Sequence, residues 1–137
     1  MTARGILAAC GVGASLLGAA AAGAQADPQV LKLGEQVYGR CIACHAIEQN
    51  RTGPAHCGLF GRRAGTAPGY GSYTQALRDS RIVWTDAALA RFLADPMSAV
   101  PGTSMTYLGV TDPREREALI AWLKAATQPG RSCTPPR

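Results

Sequence analysis

Cys41-Ile42-Ala43-Cys44-His45 is the stretch of this chain whose residue types and spacing can do chemistry. Two thiols three residues apart, followed at once by an imidazole, form the C-x-x-C-H pattern of covalent haem attachment. The spacing has a chemical reason. The thiols add to the two vinyl groups on one edge of a haem, and the histidine then lies under the ring as the proximal ligand to iron. A bare C-x-x-C also serves as a dithiol redox pair or as half of a zinc site. A zinc site needs more thiolates or imidazoles nearby, and the chain has only two histidines, His45 and His56. A dithiol redox pair sits beside a βαβ pattern, which this sequence lacks. The motif occurs once, so the expected cofactor is one covalent haem c with its iron.

Haem iron then needs a sixth ligand or an open site. A methionine thioether favours ferrous iron and suits an electron carrier. Met97 and Met105 both fall in an irregular stretch between Met97 and Gly109. Met105 follows the turn Pro101-Gly102-Thr103-Ser104, which can aim its sulfur at the haem. Met97 sits just past a helix end, where core packing accounts for it. His56 is the remaining candidate, but it lies eleven residues past His45, on the same side of the ring.

The elements that must position these residues read as helices and long loops. Asp27-Pro28 opens a helix expected over about 28–43, with Val30, Leu33, Val37 and Cys41 at helical spacing. Gly34 inside it costs about 1 kcal/mol against alanine, so it is expected to admit close approach by another element. Residues 46–72 are broken by repeated glycines and prolines and form a loop, which a bound haem would organise. A short helix is expected over Tyr73 to Arg78 and a longer one from Thr85 to Leu93, ended by Asp95-Pro96. The last helix starts at Asp112-Pro113, with Glu115 completing a capping box and Leu119, Ile120, Trp122 and Leu123 on its apolar stripe. Gln128-Pro129-Gly130 ends it. No strand pattern is present, so the expected class is all-α.

Of 137 residues, the first 26 read as a cleaved signal peptide: Arg4, an uncharged Ala/Gly/Leu-rich run from Gly5 to Ala24, then Ala24-Gln25-Ala26. Residues 27–137 then form one domain. Cleavage after Ala24, retention as a membrane anchor, and lipid attachment at Cys10 are the rival readings. Export agrees with haem c attachment and with the cysteines. Of five, Cys10 leaves with the signal and haem takes Cys41 and Cys44. Cys57 and Cys133 remain as an even pair in an oxidising compartment, and a disulfide between them is expected, against two free thiols. The net charge of +5 falls by one on loss of Arg4 and favours partners with acidic docking surfaces. No basic cluster with interleaved aromatics is present, which argues against nucleic acid.

An ordered set of motifs runs through the chain: Cys41-Ile-Ala-Cys-His45, Thr52-Gly-Pro54, Gly58-Leu-Phe-Gly-Arg62, Ala67-Pro-Gly-Tyr70, Ile82-Val-Trp84, Pro101-Gly-Thr-Ser-Met105 and Arg116-Glu-Ala-Leu-Ile-Ala-Trp-Leu123. From about Gly34 to Thr127 it resembles the class I cytochromes c, of the mitochondrial and bacterial c2 type. The resemblance implies a fold of three to five helices and long loops wrapped around one covalently attached haem c. It implies His45 and Met105 as the axial ligands. It also implies that the Pro54 carbonyl accepts the proton on the second nitrogen of His45. Arg62, Tyr73 and Trp84 would hydrogen-bond the inner propionate, and Phe92 would pack on the methionine side of the haem. Gly34 and Tyr38 would cross the last helix at Leu119 and Trp122. Gly69-Tyr-Gly-Ser-Tyr73 carries one residue more than the usual spacing, which leaves Tyr70 as an alternative to Tyr73. His56 stands where leucine is usual, and a buried imidazole there needs a hydrogen-bond partner. Ser104 stands where lysine is common, and the Cys57/Cys133 pair and the tail after Thr127 are not typical of the mitochondrial proteins. The function implied is a monomeric periplasmic electron carrier. It would pass single electrons from a donor such as a bc1 complex or dehydrogenase to an oxidase, reductase or reaction centre. The alternatives are a haem enzyme with a labile sixth ligand, hinted at by His56, and a membrane-tethered carrier subunit.

Overall fold

Three Asp-Pro pairs, Asp27-Pro28, Asp95-Pro96 and Asp112-Pro113, each open a helix. In each, the carboxylate accepts a backbone N–H of the first turn, and proline occupies a position where no N–H is needed. The computed structural model describes Met1, residues 26–128, Gly130 and Cys133. Within these residues the elements are α1 (Pro28–Tyr38), α2 (Gln75–Asp79), α3 (Asp86–Ala94), α4 (Pro96–Ala99) and α5 (Pro113–Ala126). Thr74 and Thr85 cap α2 and α3 through their hydroxyls. The fold is helical, and among the described residues the pairing outside helices is a single bridge, Arg63 to Val83. Of the expected targeting segment, residues 1–26, residues 2–25 lie outside the described residues. No helix among the described residues is long and apolar enough to cross a membrane.

The core forms where α1 crosses α5. Val37, Tyr38, Leu119 and Leu123 are buried there, and α3 adds Leu89, Phe92 and Leu93. Gly34 makes the crossing possible. A Cβ at this position would overlap the Ala118 carbonyl oxygen and lie 2.6 Å from Trp122 Cβ. The close approach therefore falls at Ala118 and Trp122, one residue before the expected Leu119. Two exposed ion pairs brace the ends of α5. Arg40 donates to both Glu115 carboxylate oxygens at 2.7 Å, and Lys124 reaches Asp86 at the start of α3 at 2.9 Å.

Three local expectations are corrected. The first helix ends at Tyr38 rather than near residue 43. After Gly39 the backbone bonds tighten to three-residue spacing, Arg40 to Val37 and Cys41 to Tyr38, so the cysteines ride on a turn beyond the helix. Asp95-Pro96 ends α3 but also starts α4, inside the stretch expected to be irregular. Asp95 accepts from the backbone N–H of Ser98 at 3.1 Å and from its hydroxyl at 2.6 Å. Glu115 forms no capping box, because its carboxylate is engaged by Arg40 while Asp112 alone accepts from Arg114 N–H.

Gly34→Ala is expected to lower stability by about 1–3 kcal/mol, because the added methyl meets backbone that cannot move aside; urea unfolding measures it. The ion pair predicts a pH signature. Hydrogen bonding and attraction from Arg40 hold the Glu115 carboxyl below its ordinary 4.5. A depressed acid stabilises the fold above its unfolded pKa and loses that contribution as pH falls through the folded value. Glu115→Gln should therefore lower the thermal midpoint at neutral pH, with the difference from wild type closing below pH 4.5. Parallel midpoints at every pH would show that the pair contributes nothing.

Candidate haem site

The turn after α1 builds the first wall of the site. Cys44 and His45 both donate their backbone N–H to the Cys41 carbonyl, at 3.1 and 2.9 Å. This single turn brings both thiols and the imidazole to one cavity with a volume of about 220 Å³. Neither cysteine is in a disulfide. Burial pushes the Cys41 thiol up and the His45 imidazole down from their ordinary values. His45 Nδ1–H donates to the Pro54 carbonyl at 2.8 Å, which leaves Nε2 as the nitrogen able to bind a metal. Gly53 lies against the same ring: a Cβ there would sit 2.7 Å from Nδ1 and 2.8 Å from Nε2. Its own N–H donates to the Cys44 carbonyl at 2.7 Å, closing the loop back onto the motif.

The loop over residues 46–72 is organised by its own backbone. His56 and Cys57 donate to Ala46 and Ile47, and Gly61, Ala64 and Trp84 exchange bonds across the stretch before α3. This frame carries Arg62 into the cavity wall. Its guanidinium donates to the carbonyls of Cys57 at 2.6 Å and Ala55 at 3.0 Å. Burial lowers its pKa, and neither ion pair among the described residues involves it. A half-buried cation held only by carbonyls suits an anionic group on the ligand.

Tyr73, Trp84 and Phe92 line the same cavity. The rings of Trp84 and Phe92 lie 5.1 Å apart. Tyr70 also lines it, but its hydroxyl donates to the Thr52 carbonyl on an exposed edge. Tyr73 is the tyrosine beside Arg62: burial raises its pKa, and Arg62 pulls it back. Its hydroxyl accepts from the Ala67 N–H at 3.1 Å.

The opposite wall is the loop between α4 and α5. The turn from Val100 to Thr103 anchors one end, and Val110 N–H donates to the Leu93 carbonyl at 2.7 Å at the other. Between these anchors Met105 lines the cavity, with its N–H on the Thr103 hydroxyl at 3.3 Å. Met97 does not line it and is 43% exposed on α4.

His56 finds the partner that the sequence did not name. Its Nδ1 lies 3.2 Å from the Tyr38 hydroxyl, and its ring stacks on that of His45 with centroids 4.4 Å apart and planes 21° apart. Burial, with His45 and Arg62 nearby, lowers it to about 3, so it is a neutral imidazole. It stands beside His45 rather than across the cavity from it. Gly53 and Tyr38 are the site residues that sequence reasoning did not assign to His45 and His56. The signal for Tyr38 was its place three residues before Cys41, one turn from the motif.

A haem fits this donor set. The cavity is lined mainly by apolar side chains, with two thiols on one edge, an imidazole nitrogen left free for iron, a thioether in the loop of the other wall, and a cation for a carboxylate. Among the described residues no group of three or more His, Cys, Asp and Glu converges to hold a metal ion directly.

The comparisons with known proteins agree with this geometry. The chain is 39% identical over 107 residues to the cytochrome c of Sesamum indicum, covering 75% of this chain and 96% of that one. It is 40% identical over 108 residues to the cytochrome c2 of Blastochloris viridis, covering 77% and 84%. With the cytochrome c2 of Rhodomicrobium vannielii it shares 37% over 123 residues, covering 88% and 94%. The solved structure of cytochrome cH from Methylobacterium extorquens matches with a TM-score of 0.67 at 40% identity, over 69% of this chain and 97% of that one. No family model matches the chain. With a helical fold, a C-x-x-C-H turn on the wall of an apolar cavity and relatives of this identity over most of its length, the chain belongs to the class I cytochromes c, electron carriers built on one covalently attached haem c.

Proposed function

We propose that this chain is a periplasmic single-haem carrier with His45 and Met105 as axial ligands and Cys41 and Cys44 as the thioether attachments. The single observation behind this reading is that residues from four separate parts of the chain, Cys41–His45, Pro54–Arg62, Tyr73–Phe92 and Met105, line one cavity. When bound, the haem iron supplies the one-electron couple. The chain's own residues do the rest. Pro54 fixes the His45 tautomer. Arg62, with Tyr73 and Trp84 on the same cavity wall, would receive the inner propionate, and Phe92 would pack on the methionine side. A ligand loop anchored at both ends keeps the Met105 sulfur in place in either oxidation state. The donor is a bc1 complex or a dehydrogenase, and the acceptor an oxidase, reductase or reaction centre. The chain works as a monomer, and its net positive charge favours acidic docking surfaces. Residues 1–26 direct export and are removed in the course of it.

His56, the residue that hinted at a labile-ligand enzyme, stacks on His45 and so stands on that ligand's side of the cavity. The Cys57 and Cys133 sulfurs are joined across Cα atoms 5.3 Å apart. We propose the same disulfide in the exported protein, tying the tail to the loop beside His56.

Optical spectra test the ligands. The purified oxidised protein should show a low-spin haem c with the weak long-wavelength sulfur-to-iron band. Met105→Ala should abolish that band and give a high-spin component, while Met97→Leu should leave the spectrum unchanged. A wild-type spectrum without the band overturns Met105 as ligand. Intact mass under non-reducing conditions tests the disulfide. The expected mass is two hydrogens below that of the reduced protein, and equal masses would sink the bond.

A further inference from the structure

His56 is a buried imidazole to which neither the ligand set nor the propionate contacts assign a task. It is also held more firmly than a space-filling side chain requires. Its backbone N–H donates to the Ala46 carbonyl at 3.0 Å. Its Nδ1 is hydrogen-bonded to the Tyr38 hydroxyl at 3.2 Å. The Tyr38 ring meets it edge-on, with centroids 5.7 Å apart. Tyr38 in turn lies against Trp122, with centroids 4.5 Å apart, at the crossing of α1 and α5. A continuous series of rings, Trp122, Tyr38, His56 and His45, therefore runs from the helix crossing to the imidazole of the attachment motif.

We propose that His56, held by Tyr38, is a positioning residue that fixes the rotation of the His45 ring about its axis to iron. The bond from His45 Nδ1–H to Pro54 holds one edge of that ring. A single hydrogen bond at one edge allows the plane to rock, because hydrogen bonds tolerate a broad range of angles. A near-parallel ring stacked at 4.4 Å opposes that rocking, and the Tyr38 bond keeps the stacking ring itself from turning. The bond is partly buried, and a hydrogen bond constrains more strongly there than at the open surface. A leucine at residue 56 would fill the volume but would present no plane and accept no bond from Tyr38.

The proposal rests on His45 as an iron ligand and deepens that reading. The test uses the haem-loaded protein in the ferric state. The rotation of an axial imidazole sets the orientation of the iron's magnetic axes, so it is read in the EPR g-values and in the paramagnetic NMR shifts of the haem methyl groups. His56→Leu removes stack and bond together. His56→Phe keeps a ring and removes the bond. Tyr38→Phe keeps both rings and removes the hydroxyl. His56→Leu should redistribute the methyl shifts and move the g-values beyond the spread of wild-type preparations. The other two variants should shift them in the same sense by less. A His56→Leu protein with wild-type g-values and methyl shifts but a lower thermal midpoint would show that His56 only fills space. Should that variant fail to accumulate, Tyr38→Phe carries the test, and unchanged methyl shifts in it overturn the proposal. A wild-type spectrum without low-spin haem overturns the ligand reading before any variant is compared, whereas a low-spin wild type with invariant methyl shifts overturns the stack alone.

Discussion

The contact between Gly34 and the Ala118 carbonyl is the constraint on which the rest of this structure depends. Two helices approach this closely only when one side of the contact lacks a side chain. Once they do, Val37 and Leu119 are sealed from water, and Tyr38, Leu119 and Leu123 turn toward the cavity. The turn bearing Cys41, Cys44 and His45 then leaves the end of α1 from a fixed point. The Arg40–Glu115 pair fastens that turn to the start of α5 from outside. An exposed pair of this kind contributes little by itself. Its value here is that it joins the attachment turn to a helix already fixed by packing.

The second constraint is the imidazole of His45. Three residues of one short stretch, 53–56, converge on it: Gly53 against the ring, the Pro54 carbonyl on Nδ1, and the His56 ring stacked beside it. The loop can do this because its backbone groups bond to one another and to the segment before α3, so that polar atoms near an apolar cavity are satisfied. The same arrangement places Arg62 with its donors on carbonyls rather than on an acid. The site thus keeps a positive charge in partly dry surroundings, a cost that a carboxylate on a bound cofactor would offset.

Much of this was legible in the sequence, and the parts that were not share a physical cause. The five-residue motif named the cofactor because its spacing answers to the geometry of the haem edge. Asp-Pro and Thr caps marked helix starts because capping is a local interaction. The same rule applied to Asp95-Pro96 would have found α4; it was read only as an ending. The end of α1 at Tyr38 was hidden because the hydrophobic period runs on to Cys41 while the bonding pattern tightens underneath it. Glu115 matched a capping box by spacing, but Arg40, distant in sequence, offered its carboxylate a charged partner instead. Met97 against Met105 and Tyr70 against Tyr73 could not be decided by local pattern. The structure adds their placement: Met97 is exposed and Met105 lines the cavity, while the Tyr70 hydroxyl is bonded to Thr52 and that of Tyr73 to Ala67.

The close crossing also has a consequence for how the chain reaches this form. Gly34 and Ala118 stand near opposite ends of the described residues, and α1 and α5 enclose almost everything between them in one loop. Closing a long loop costs entropy before any contact repays it, and folds that depend on such distant contacts form more slowly than those built from neighbours. α2, α3 and α4 are too short to persist alone and depend on the packing that the crossing of α1 and α5 completes. The attachment turn hangs from α1 and is braced by α5, so its final geometry depends on both ends of the chain meeting.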